Sequence, residues 1–129
     1  MLDQHGEITI RHADLDQGLM GLTTYRDNTV DLASDLTAAE WRSTLAHELV
    51  HLTRGPVPRA LAAVEEVAVQ RVTAELLIPP AAALAQLDRS WSDQEIQTLA
   101  ARYAVDRDVI ETVLDPPALP FPPPPRSEP

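Results

Sequence analysis

The sequence predicts a small α+β domain: about three short antiparallel strands laid against two long helices, with a small helical part behind them. Three observations point there. Alternating apolar and polar segments are gathered between residues 7 and 34. A capping box at Thr37 then opens a long helical pattern. After Gly55 the chain is rich in Ala, Val and Leu and is punctuated by proline, which reads as helices with abrupt stops. At 129 residues the chain fits one domain, expected over residues 1–115.

The sheet is expected within residues 7–34. "EITIRH" (7–12) alternates like a short strand. "GLTTY" (21–25) and "TVDLA" (29–33) form a hairpin closed by "RDN" (26–28), since Asp and Asn tolerate the backbone angles of a tight turn. Val30 and Leu32 share one face of their strand and Asp31 takes the other. The first long helix spans 38–54, with Thr37 accepting from the Glu40 amide while Glu40 reaches back. Gly55 ends it, and "GPVP" blocks continuation. Its apolar stripe is expected to be Trp41, Leu45, Leu49 and Leu52.

The second long helix spans 58–78. It opens on Pro58, a good first-turn residue, and stops at the proline pair 79–80. Shorter helices fill 81–114, one of them capped by Ser92 with Glu95. From residue 116 the chain is mostly proline, too poor in packing groups for a core, and is expected to be an extended or disordered tail to residue 129.

Composition narrows the function. The formal net charge of −10 repels phosphate and disfavours direct nucleic-acid binding. No apolar run is long enough to span a membrane. The acidic N-terminus lacks the basic start and apolar stretch of a secretory signal, so the cytoplasm is the expected location. The absence of cysteine excludes disulfides and thiolate metal sites.

The chemistry sits in "STLAHELVHLTRG" (43–55), which holds two of the four histidines. Residues four apart lie one above the other on a helix, so His47 and His51 can turn their imidazoles to one ion. Glu48 follows the first ligand by about 100° of helical rotation, near enough to reach a water at the ion without being a ligand. A carboxylate at the edge of an apolar stripe is costly without compensation, and a metal site provides it. The bland alternative is a solvated amphipathic helix that carries two histidines by chance.

A third ligand is needed, because a catalytic zinc usually keeps three protein ligands and one open position. His5 and His12 precede the motif and no histidine follows it, so the candidates are carboxylates of the second helix, Glu65 and Glu66. Periodicity alone leans to Glu65, which falls among Leu61, Val64, Ala68 and Val72. Either one can also be an ordinary solvated surface residue.

"TLAHELVH", followed by a helix closing in "AELLIP", resembles the ImmA/IrrE metallopeptidase family over about residues 8–80. The resemblance implies a zincin-like fold, a Zn2+ cofactor and peptide hydrolysis, with Glu48 as the catalytic base. It also implies a glutamate ligand followed four places later by a small polar residue. Glu66 with Gln70 behind it fits that spacing, whereas Glu65 is followed by Val69. His47, His51 and Glu66 are therefore the expected ligands, Glu65 the runner-up and Gln70 the supporting group. Val72 departs from the phenylalanine usual there, and Gln70 from the usual Asn or Asp. The implied substrate is a regulatory protein such as a DNA-binding repressor of a phage or prophage; the chain's acidity suits so basic a substrate.

The strand before the active helix, Thr29, Val30, Asp31, Leu32 and Ala33, is expected to be an edge strand that receives extended substrate. Tyr25, Tyr103, His5 and His12 are candidate oxyanion donors. Two other readings compete. One is a non-catalytic, metal-bound regulatory or interaction module, for which Glu48 would have no use. The other is a helix-turn-helix in residues 93–114, which its many carboxylates disfavour.

Overall fold

The structure is a computed structural model, and it describes residues 7–85, 87 and 89–117. The chain runs β1 (Thr9–Ala13), β2 (Gly21–Thr24), β3 (Thr29–Ala33), α1 (Ala38–Arg54), α2 (Ala62–Leu77), α3 (Ala81–Ala85), α4 (Asp93–Tyr103) and α5 (Arg107–Leu114). Single 3-10 turns at Asp16–Gly18 and Arg59–Leu61 lead into β2 and α2. The α+β class, the three strands and the two long helices are as the sequence predicts. Residues 118–129 of the proline-rich tail lie outside the described residues, as does His5.

The sheet is mixed where an antiparallel one was expected. Its order is β1-β3-β2, with β1 parallel to β3 and β2 antiparallel to it. The β2–β3 hairpin turns through Asn28, whose φ of 50° lies in the left-handed region that asparagine tolerates. β3 is thus the central strand, and the expectation that residues 29–33 form an edge is wrong. Being next to α1 along the chain does not fix a strand's lateral place. The decisive group is Asp31, which is buried and receives a two-pronged grip from Arg11 of β1, at 2.8 Å and 3.1 Å. An edge strand has no need of a buried carboxylate matched from a neighbour. The free edges belong to β1 and β2.

Two apolar clusters hold the elements. Val30 and Leu32, both fully buried, meet Leu52 of α1, with Leu45, Leu49 and Tyr25 packed around them. The second cluster joins α2 to the C-terminal helices through Ala74, Ile78, Ala100, Val105, Ile110 and Val113. Trp41 is not part of the buried stripe; it is 36% exposed. The neighbouring buried position is Ser43, because α1 has a second covered face: its hydroxyl accepts the Asp106 amide in front of α5 at 2.9 Å. Arg42 adds a bond to the Tyr103 carbonyl at the end of α4. The capping box of Thr37 and Glu40 forms as read, and so does that of Ser92 and Glu95.

α2 starts later than expected, at Ala62, because the residues after Pro58 make one tight turn first. No helix among the described residues is long and apolar enough to cross a membrane.

Candidate metal centre

α1 and α2 lie side by side, and the residues that face each other across them are His47, His51 and Glu66. One ligand atom from each lies within 4.8 Å of the others. Glu66 spans the two rings: its Oε2 is 3.0 Å from His47 Nε2 and its Oε1 is 3.0 Å from His51 Nε2. The rings stand edge to face, 5.0 Å apart, as the i, i+4 spacing requires. Atoms around a tetrahedral zinc at about 2.0–2.1 Å stand roughly 3.3 Å from one another, close to the 3.0 Å between Glu66 and each ring nitrogen. Two neutral imidazoles with one carboxylate also suit such an ion chemically.

The charges are consistent with a site built for a cation. Burial pushes the Glu66 pKa up, but hydrogen bonds from His47 and His51 outweigh it and bring it down to about 2. The His51 pKa is raised, chiefly by the same hydrogen bond to Glu66. The Tyr25 hydroxyl lies 3.5 Å from the other ring nitrogen of His51, Nδ1, where a metal ligand usually finds an orienting partner. Its pKa is raised by burial and then by the carboxylates of Glu65, Glu48 and Glu66.

Glu65 points elsewhere. Its carboxylate takes two bonds from Arg54, at 2.5 Å and 2.9 Å, and the Arg54 hydrogen bond lowers its pKa. That ion pair explains why Glu65 falls on the apolar stripe: a residue can be covered by a neighbour's guanidinium as well as by a core. The pair also engages the Arg54 guanidinium at the end of α1.

Glu48 follows His47 directly and faces β2. Thr23 donates to its Oε1 at 2.6 Å, and the same hydroxyl lies 3.1 Å from the Glu48 carbonyl. Gly21, two residues earlier on the same face of β2, passes so close that a Cβ there would stand 2.6 Å from Thr44 Cγ2 and 2.9 Å from Glu48 Cγ. Neither Thr23 nor Gly21 is singled out by sequence reasoning. The available signal was their i, i+2 spacing on the strand that ends at Tyr25, but nothing in the sequence says that this strand covers α1.

His47, Glu48, Glu66 and Gln70 open onto one cleft of about 960 Å³, walled on one side by the loop Gly18–Met20 with Gly21 at the start of β2, and on the other by Asp106 and α5. Gln70 therefore lies at the site, one helical turn beyond Glu66. The five residues 29–33 do not line the cleft; β3 stands behind β2. Tyr103 gives its carbonyl to Arg42 at the end of α4, and His12 lies on β1, the strand farthest from β2.

Residues 4–114 match the model of one known family, the peptidase M78 family, described as the IrrE N-terminal-like domain. No curated protein and no solved structure matches the chain.

Proposed function

The chain belongs to the peptidase M78 family, whose model covers it from residue 4 to 114, and on that premise we propose that it is a zinc-dependent peptidase that cuts a regulatory protein. The observation that carries this reading is the position of Glu48. It is a carboxylate beside the ligand pair, opening onto the cleft and engaged by no arginine among the described residues. A purely structural metal site has no use for it.

His47 and His51 would hold the ion through neutral imidazole nitrogens, and Glu66 would lend the negative charge. The chemistry that zinc supplies when held there is Lewis acidity toward water and a carbonyl oxygen. Glu48 removes the proton of the attacking water and then hands it to the leaving amine, which a carboxylate within one hydrogen bond of both can do. Tyr25 holds the outer nitrogen of His51 and so its ring orientation.

Extended substrate would lie along the free edge of β2, beside Glu48, and not along β3. The far wall of the cleft carries Asp106, Asp108 and Glu111, and the cleft's arginine, Arg89, is paired with Glu95 and stacked on Trp91. That balance favours a basic protein substrate, and a DNA-binding repressor met in the cytoplasm is the class we propose. Carboxylates also argue against α5 as a DNA reader, since Arg107 is held by Asp93 and Glu111.

The test is Glu48→Gln. Zinc content should stay at the wild-type level, while hydrolysis of a lysine- and arginine-rich peptide mixture, read by mass spectrometry, should fall by at least about 100-fold. A glutamine variant that still cleaves would remove the proposal.

A further inference from the structure

We propose that Thr23 and Gly21 of β2 divide the two oxygens of Glu48, Thr23 fixing Oε1 and Gly21 leaving Oε2 free to work, so that Thr23 is the positioning residue of the base. The inference rests on the reading of Glu48 as the base. Thr23 Oγ1 donates to Oε1 at 2.6 Å, at the short end of the hydroxyl-to-oxygen range. The same hydroxyl lies 3.1 Å from the Glu48 carbonyl, so its single proton is shared unequally between the side chain and the backbone of α1, with the shorter contact to Oε1. A glutamate has three rotatable bonds, and this contact removes most of that freedom at one oxygen.

The other oxygen is treated differently. A Cβ on residue 21 would stand 3.3 Å from Oε2 and would press on the Glu48 stem at 2.9 Å. Glycine is there because β2 approaches α1 too closely for a side chain, and the space it leaves adjoins the cleft. Both residues lie on one face of one strand, while Leu22 between them points to solvent at 46% exposure. The base is thus oriented by the sheet edge that also borders the substrate path. Movement of β2 would then change the aim of Glu48 without touching a ligand.

The experiment compares Thr23→Val, Thr23→Ala and Thr23→Ser in the full chain loaded with zinc. Valine keeps the branched shape that strands favour and removes only the hydroxyl. Its kcat should fall on the order of 10-fold to 100-fold, as for loss of a group that orients a reacting residue. KM, zinc content and the unfolding midpoint should hold. Serine should restore kcat, and alanine carries the comparison if valine fails to fold. Wild-type kcat in both hydroxyl-free variants overturns the role, and so does a serine variant as slow as valine. A wild type that cleaves no peptide, with zinc bound, overturns the reading of Glu48 and this role together. An active wild type with no Thr23 effect overturns this role alone.

Discussion

At the scale of the residue, two adjacent glutamates receive opposite surroundings. Glu66 turns to the histidines and Glu65 to Arg54. Neighbours on a helix differ by about 100° in direction, enough to put one in the site and the other in an ion pair. Glu66→Ala should therefore lower zinc affinity by at least about 100-fold, beyond the loss expected from a mere supporting group. Glu65→Ala should leave zinc stoichiometry unchanged. Metal analysis of the purified variants checks both, and equal zinc loss in the two would contradict the assignment. His47, Glu48 and His51 are legible in the sequence because all three lie within five residues of one helix. Thr23 is not, because its partner is 25 residues away and only packing brings them together.

At the scale of the element, α1 is held by both of its ends and both of its faces. Thr37 and Glu40 close the first turn reciprocally, and the Gly55 amide bonds the His51 carbonyl at the last. Thr37→Ala leaves the Glu40 amide unsatisfied and should cost about 1 kcal/mol in urea unfolding of the metal-free protein. His47, Glu48 and His51 lie beyond the first turn, so the proposed peptidase activity, measured well below the transition, should not change. The start and stop of α1 and the N-caps of α1 and α4 were readable because they are local. Strand order was not: β1 and β3 pair in parallel although β2 lies between them along the chain. Local alternation reports which residues face the same way, and says nothing of which strand becomes the neighbour.

At the scale of the whole molecule, the centre lies between two apolar clusters, one under the sheet and one under the C-terminal helices. Its two halves come from elements joined by a proline-rich turn, so folding assembles it and protons compete for it. The His51 pKa is raised above 6.5, so its proton stabilises the metal-free fold below that value; the gain is lost as pH rises through the raised one. The Glu66 pKa is depressed to about 2; its contribution is present above 4.5 and lost as pH falls toward about 2. Metal needs unprotonated imidazole. Zinc affinity from chelator competition should therefore weaken as pH falls through the raised His51 pKa, with onset above 6.5. A flat profile would show that His51 is not a ligand.

The sequence by itself determined the class of the fold, the helix that carries His47, Glu48 and His51, and the acidity of the whole chain. These follow from periodicity, capping and composition, which act over a few residues or over the sum of all. The tertiary structure decided which strand stands beside Glu48, which of two glutamates crosses to the histidines, and where Trp41 goes. Each of those is a choice among groups of similar local propensity. It is settled by long-range partners such as Arg11 on Asp31 and Arg54 on Glu65, whose pairing no local pattern encodes.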